Sequence, residues 1–413
     1  EARGDYRRML VLGADLLRVL SELPETPERK HDELTLQTNL ARTQLAVRGF
    51  TPEAERAMLD ALARVESTTD ERLRFPALRS LATLRLMRTE IGPTIEAAGE
   101  LMEIAEKEAD PALLTDAHLL SGISSYWVDD LPVAIAHLDQ AIAEFDATTS
   151  GFVEFRIGPN PGVVVNAVSA LLRWRAGLAD SAVTRMTRAV QLARDLDHPY
   201  SLAYALHHAA VFDLWRGDVP ALAVRTREAL ELATTHDYPV WQALAMVLGG
   251  AATVASGDAG GGLTQVERGF TLYAGLSTPP VFWAHLLMIR SDAYARAGKV
   301  DQAIAWLQEA EMSLEAQDPV GADIAIAHGD LLLLSTPSDT VAAETYFERG
   351  LILATARGAH MVELEALTRL ATLRATGPDG EDVRRRLHSV AASFTEGFDT
   401  HQMIAARAVL GDV

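Results

Sequence analysis

Two short segments decide the fold of this chain: residues 197–203, "DHPYSLA", and residues 237–243, "DYPVWQA". Each contains a proline ahead of an apolar run, and the two prolines are forty residues apart. Prolines recur at the same interval at positions 279 and 319, and Pro159 also stands forty residues before Pro199. A fixed period of this length is typical of a solenoid, in which each repeat packs only on its neighbours.

Each unit is predicted to be a pair of helices. After Pro199, apolar residues recur at helical spacing up to Leu214. Gly217 follows, and glycine suits the left-handed position that ends a helix. A second helix is predicted over Val219–Thr235, and the next proline then marks the start of the following helix pair. Proline is favoured at the first helical position because that residue needs no N–H donor.

Three units resemble the tetratricopeptide repeat. The clearest is residues 291–310, "SDAYARAGKVDQAIAWLQEA"; residues 122–141 and 343–350 match less completely. The resemblance implies an all-α fold, an α-solenoid (superhelix) of tetratricopeptide-like helix hairpins. The period of about 40 exceeds the usual 34 residues, so we expect longer helices, in about ten pairs.

Two stretches depart from this regularity. Residues 148–162, "TTSGFVEFRIGPNPG", are predicted to be an irregular loop between N-terminal repeats over residues 1–147 and C-terminal repeats over residues 163–413 of one continuous solenoid. Residues 256–262, "SGDAGGG", are predicted to be a flexible glycine-rich turn between helices.

Composition excludes several classes of function. The 57 acidic and 37 basic residues give a net charge of -20, which disfavours nucleic acid as a partner. The 413-residue chain has no cysteine and no long uninterrupted apolar run, so we expect a cytoplasmic protein that does not enter a membrane. Because residue 1 is not methionine, we interpret the chain as a fragment or processed form.

The sequence predicts no enzyme, no cofactor and no metal site. None of the three lysines, at positions 30, 107 and 299, follows a phosphate-binding loop. The adjacent histidines 207 and 208 point about 100° apart on a helix, so they are poorly placed to bind one ion. The many carboxylates fall on solvated helix faces, where paired acid–base catalysis is not expected.

Binding residues are expected on the loop and on the first helix of each pair, which conventionally lines the concave face. The loop offers a charge and an amide, and the helices offer aromatic and histidine side chains, which suit recognition and packing equally well. The candidate ligand- or partner-binding residues are Arg156, Asn160, Asn166, Tyr204, His207, Trp241, Trp283 and His285.

Three segments together resemble one family: residues 23–50, residues 195–206 preceded by "GPNPGV" at 158–163, and "FTEGFDTHQMIAARAVL" at 394–410. The chain is similar to the C-terminal repeat region of large bacterial signalling regulators. In that family, adenylyl cyclase, serine/threonine kinase or DNA-binding domains precede a STAND-type ATPase and then the helical repeats. The resemblance implies a regulatory arm without catalytic residues of its own. In the family, proline usually follows "FDT"; here His401 stands there.

Two functions remain open at this point. The chain could bind a protein or peptide partner, or its own effector domains, in the superhelical groove; an acidic groove would prefer basic or helical peptides. Alternatively, it could sense a small molecule in a pocket near loop 155–162.

Overall fold

The computed structural model describes residues 6–48, 52–66, 71–128, 130–148, 158–276, 280–314, 318–374 and 378–411. This part of the chain contains twenty α-helices, one short 3-10 turn at Pro280–Phe282 and no strand. The first ten helices are α1 (Tyr6–Glu22), α2 (Pro27–Arg48), α3 (Pro52–Glu66), α4 (Glu71–Met87), α5 (Ile91–Glu108), α6 (Pro111–Trp127), α7 (Leu131–Thr148), α8 (Pro161–Arg175), α9 (Ala179–Asp195) and α10 (Pro199–Trp215). The others are α11 (Val219–Thr235), α12 (Pro239–Ala255), α13 (Ala259–Gly275), α14 (Trp283–Arg296), α15 (Val300–Met312), α16 (Gly321–Ser335), α17 (Thr340–Arg357), α18 (His360–Leu373), α19 (Pro378–Ser393) and α20 (His401–Leu410).

The helices pair into antiparallel hairpins, from α2–α3 to α18–α19, with α1 and α20 at the two ends. The predicted all-α solenoid of tetratricopeptide-like hairpins is therefore confirmed. Each helix from α9 to α13 is 17 residues long, and each helix from α10 to α13 begins 20 residues after the one before it. Two such helices make the period of forty. In the described ranges there are nine hairpins, against the ten or so expected.

The two opening segments mark the point where one hairpin ends and the next begins. Asp197 and Asp237 have φ angles of 48° and 55°, in the left-handed region that aspartate tolerates better than most residues. Each lies just past the end of a second helix and reverses the chain. Pro199 and Pro239 then occupy the first positions of α10 and α12, where no N–H is required.

The glycine-rich stretch at 256–262 is not a flexible turn, and that expectation was wrong. Only Gly257 lies in the turn, with a φ of 103°, whereas Gly260, Gly261 and Gly262 form the start of α13. A β-carbon on Gly262 would lie 2.6 Å from the carbonyl oxygen of Gly250. Gly262 is needed because α12 and α13 approach backbone to backbone at this point.

The irregular segment ends earlier than expected. Helix α8 begins at Pro161, so residues 161 and 162 are helical, while residues 149–157 lie outside the described ranges. Pro159 precedes this helix by two residues and does not start it. Asn160 caps α8, with its side-chain oxygen accepting the backbone N–H of Gly162 at 2.9 Å.

First helices form the inner layer of the superhelix, since each contacts the next in an unbroken row from α2 to α18. The coil is tight. Helix α4 meets Pro280–Phe282, α8 meets α18, and Arg357 at the end of α17 donates to the carbonyl of Tyr126 at the end of α6. Helices about ten positions apart in the chain therefore contact one another, and the inner layer surrounds a narrow interior.

Candidate functional site in the superhelix interior

A cavity of about 200 Å³, partly open to solvent, lies inside the first turn of the superhelix. Its walls come from first helices on opposite sides of the coil, so residues far apart in sequence face one another across it. The lining residues are Arg42, Arg79, Ser80, Thr83, Leu86, Met87, Asp116, Leu119, Leu120, Ile123, Gly158, Pro159, Val164, Tyr200, Tyr204, Val240, Trp241 and Phe282. We call this the interior cavity.

One side of the interior cavity is aromatic. Tyr200, Tyr204, Trp241 and Phe282 line it, and we call these four residues the aromatic wall. The centroid of the Trp241 ring lies 5.9 Å from that of Tyr200 and 5.8 Å from that of Tyr204, both edge to face. Edge-to-face packing fixes the rings against one another, so the wall is preorganised.

The repeat itself places this wall. Tyr200 is the second residue of α10, and Trp241 is the third residue of α12, each just after the proline that starts its helix. Tyr204 follows Tyr200 by four residues and therefore lies on the same helix face. Burial raises the pKa of the Tyr200 hydroxyl to about 12, with a smaller opposite effect from the Trp241 indole.

The rim of the cavity is held by the caps of two neighbouring helices. Gly158 and Pro159 line the cavity just before Asn160, whose backbone N–H donates to the Ser201 hydroxyl at 2.9 Å. Ser201 in turn lies 2.7 Å from Nδ1 of His198, the residue that caps α10. The end of the irregular segment is thus tied to the N-terminus of α10.

The opposite side carries the charges of the cavity: Arg42 on α2, Arg79 on α4 and Asp116 on α6. We call these three residues the charged cluster. Arg79 lies 3.1 Å from the carboxylate of Asp116, whose side chain is only 4% exposed. Two arginines face one aspartate, so the charged cluster is net positive although the whole chain carries -20. Among the described lining residues, the acidic groove expected from composition is therefore not found.

Three histidines occupy the interior beside the aromatic wall. The His207 ring lies 5.4 Å from that of Trp241 and 5.8 Å from that of Phe282. Burial lowers the pKa of His208 and of His285 to about 4. Burial also lowers the pKa of His207 well below its ordinary value, and the neighbouring histidines add to that effect. These rings are neutral at physiological pH. Nδ1 of His208 donates to the backbone carbonyl of Tyr204 at 2.9 Å.

The binding residues predicted from the sequence lie at different positions relative to the cavity. Tyr204 and Trp241 line the cavity, and Asn160 holds its rim. Asn166 is buried and donates to the Gly162 carbonyl within its own helix. The remaining predicted positions do not line the cavity. His207 packs on Trp241 and Phe282 of its wall, and His285 lies near the ring of Trp215. Trp283 packs on Phe270 and Tyr273 where one hairpin meets the next, and Arg156 lies outside the described residues.

Sequence reasoning missed the residues that close the cavity from the other side. Arg79 and Asp116 lie on two N-terminal hairpins and meet Phe282 only because the superhelix completes a turn. Nothing in the local pattern around these positions indicates that encounter. Tyr200 could have been found, because it lies one helical turn before Tyr204 on the same face.

Neither a metal site nor a membrane span emerges from the described ranges. There, no three histidine, aspartate or glutamate side chains come together as metal ligands. None of the described helices is both long enough and apolar enough to cross a bilayer.

No known family model matches this chain, and no curated protein matches it in sequence. Solved structures, however, share its fold. A Rap protein in complex with the competence and sporulation factor superposes with a TM-score of 0.59, covering 88% of this chain and 99% of that one at 13% identity. NprR in complex with its cognate peptide NprX gives 0.58, covering 89% and 100% at 12% identity.

A third similar structure is the Rap conjugation gene regulator of plasmid pLS20 in complex with the Phr* peptide. Its TM-score is 0.51, covering 92% of this chain and 98% of that chain at 10% identity. At such identities the similarity establishes the fold alone. The chain has the architecture of tetratricopeptide-like helical repeat proteins along nearly its whole length.

Proposed function

We propose that this chain is a non-catalytic regulatory scaffold that binds a peptide or protein segment inside its superhelix, with the interior cavity as the anchoring site. The observation that carries this proposal is the aromatic wall facing the charged cluster across a preformed cavity. Apolar pockets with a few placed polar groups are the usual form of a binding site. The peptide complexes of similarly folded Rap and NprR structures support the same role.

A cavity of about 200 Å³ is smaller than the 300–1,000 Å³ typical of drug-sized ligands. It has room for one large side chain and its immediate backbone. The partly open side leaves a way out for the rest of a bound segment. The size therefore favours anchoring one residue of a longer partner over enclosing a whole ligand.

The test is a selection from a displayed random peptide library, with affinities of the selected peptides then measured by calorimetry. Thr83→Phe should fill the cavity and lower the affinity at least tenfold, because Thr83 is a wall residue. Thr264→Phe is the matched control: Thr264 makes the same intrahelical hydroxyl bond but lies exposed on α13. Equal loss in both variants, or in neither, would contradict binding at the cavity.

A small-molecule signal is the second candidate function. It is favoured by Gly158 and Pro159, which bring the end of the irregular segment to the cavity. Native mass spectrometry tests it, since a retained ligand would add mass that is lost on unfolding. A copurified mass that survives in Thr83→Phe would place such a ligand elsewhere.

The resemblance to STAND-type signalling regulators supports a place in a cytoplasmic regulatory pathway. There, this chain would control an ATPase, cyclase or kinase module. Joining the chain to a STAND-type ATPase module and measuring nucleotide hydrolysis with and without a selected peptide tests this. Hydrolysis that ignores a bound peptide would contradict it.

A further inference from the structure

The rings of the aromatic wall stand nearly at right angles to one another. The Trp241 ring is inclined by 73° to that of Tyr200 and by 79° to that of Tyr204. An aromatic ring has negative charge density on its faces and positive charge density at its edge, so such rings attract one another edge to face. Because the wall combines both orientations, a further ring that enters the cavity meets both edges and faces.

Two histidines hold the rings of the aromatic wall in place. The His208 ring stacks on the Tyr204 ring, with 4.0 Å between their centroids. The His207 ring lies 5.4 Å from that of Trp241. Neither histidine lines the cavity, so these contacts fix the wall without occupying the space for a ligand. Burial raises the pKa of the Tyr204 hydroxyl, as expected for a ring that lies largely out of water.

The side of the cavity that faces the aromatic wall offers aliphatic groups and a thioether. Leu119, Leu120 and Ile123 line it from α6, and Met87 lines it from α4. The sulfur of methionine makes favourable contacts with aromatic rings, beyond those of an aliphatic group of the same size. A bound ring would therefore have aromatic rings on one side and a thioether on the other.

We propose that the residue anchored in the interior cavity is aromatic, with its ring packed edge to face against Tyr204, Trp241 and Phe282. This inference rests on the proposed function and specifies the class of side chain that the cavity takes. An aliphatic side chain of the same size would bury the same apolar area but would lack the edge-to-face attraction. Burial thus provides affinity for any large apolar residue, and the aromatic wall provides the discrimination.

The test compares three pentapeptides on the intact chain by calorimetry. Each is acetyl-Gly-Gly-X-Gly-Gly-amide, where X is phenylalanine, cyclohexylalanine or leucine. Cyclohexylalanine has the shape of phenylalanine without its π electrons, and it is slightly larger and more apolar, so burial alone would favour it. We expect the phenylalanine peptide to bind about fivefold more tightly than the cyclohexylalanine peptide. The leucine peptide should bind most weakly, because it buries less apolar area.

Phe282→Leu and Tyr204→Leu should each remove most of the advantage of phenylalanine over cyclohexylalanine. Both residues are only half-buried, and if one variant fails to fold the other carries the test. Phe398→Leu is the matched control, because it makes the same change at a residue that is 46% exposed and does not line the cavity. It should keep the full advantage.

Equal affinities for the phenylalanine and cyclohexylalanine peptides, or tighter binding of the latter, would overturn the aromatic anchor. Peptides selected from a library would then still test the proposed function independently. Full retention of the advantage in both wall variants would also overturn it, because the preference would then arise elsewhere. If none of the three pentapeptides binds, aromatic anchoring fails, whether or not library peptides bind.

Discussion

The guanidinium of Arg175 forms a two-pronged ion pair with the carboxylate of Asp323, 148 residues further along the chain. Its Nη1 lies 3.1 Å from Oδ1 and its Nη2 lies 2.8 Å from Oδ2. Nη2 also donates to the carbonyl of Pro319, and the guanidinium lies 5.6 Å from the centre of the Trp215 ring. The pair joins α8 to α16 across the interior, so it holds successive turns of the superhelix together.

Replacing Arg175 with methionine should be strongly destabilising. The arginine side chain is 3% exposed, and its loss would leave Asp323 without its partner in the interior. Removing one member of a buried pair costs about 3–5 kcal/mol of unfolding free energy. Arg194→Met is the control, because its pair with Glu228 is exposed and should contribute about 1 kcal/mol or less. Urea denaturation followed by circular dichroism measures both, and similar midpoints would contradict the role of Arg175.

The glycines of α13 should respond in opposite directions to the same substitution. Gly262→Ala would place a β-carbon 2.5 Å from the Val254 side chain and 2.6 Å from the Gly250 carbonyl, so α12 and α13 would have to separate. We expect a loss of stability. A β-carbon on Gly260, by contrast, meets only Asp258, at 4.0 Å. Gly260→Ala should raise stability by about 0.4–1 kcal/mol, since alanine restricts the unfolded chain. Thermal unfolding tests both, and stabilisation by Gly262→Ala would contradict the close helix approach.

This pair of helices also shows the limits of sequence reasoning. The hairpins and their period can be predicted from the sequence, because Pro199, Pro239 and the spaced apolar residues determine helix formation locally. The prediction of a flexible turn at residues 256–262 was wrong, because Gly262 is required by a close contact with α12 that the local sequence does not indicate. Only one side of the cavity could be predicted from the sequence. Tyr204 and Trp241 follow from the inner position of first helices, whereas Arg79 reaches the site through superhelix closure, which depends on packing angles that no local pattern encodes.

We predict that the segment just before α20 holds this helix against α9. Gly397 has a φ of 72°, and a β-carbon there would lie 2.6 Å from that of Ala179 on α9. Glu396 next to it accepts hydrogen bonds from the backbone and hydroxyl of Ser181. Gly397→Ala should therefore loosen α20 and speed its proteolysis. Gly411→Ala has a similar φ of 81° but nothing within 4 Å, so it should cost only the backbone strain. Equal proteolysis of both variants would contradict this role of the contact between Gly397 and α9.

Acidification should destabilise the fold through the buried histidines. Burial lowers the pKa of His208 to about 4, below the ordinary value near 6.5, so the unfolded chain takes up the proton first. The resulting loss of unfolding free energy is absent above about pH 6.5. It grows as pH falls toward 4, where it approaches about 3 kcal/mol. His208→Gln should flatten this part of the profile in thermal unfolding at pH 7.5 to 4.5. A variant profile parallel to that of the parent chain would rule out the contribution of His208.

His360 should behave in the opposite way and serves as the comparison. Its hydrogen bond to Glu363 raises the pKa of the imidazole, against a smaller effect of burial. The stabilisation is therefore complete below about pH 6.5 and is lost as pH rises through the raised folded value. His360→Gln should lower the unfolding temperature at pH 5.5 and change it little at pH 8. A loss of equal size at both values would contradict the assignment.

The central claim is that ligands bind at the interior cavity, and hydrogen–deuterium exchange of the intact chain with a selected peptide tests it most directly. Binding at the cavity should slow exchange in both walls at once: residues 79–87 and 116–123 on one side, and the first turns of α10 and α12 on the other. Exchange of the outer helix α11 should stay unchanged. Protection confined to second helices, with the two walls unaffected, would contradict binding inside the superhelix.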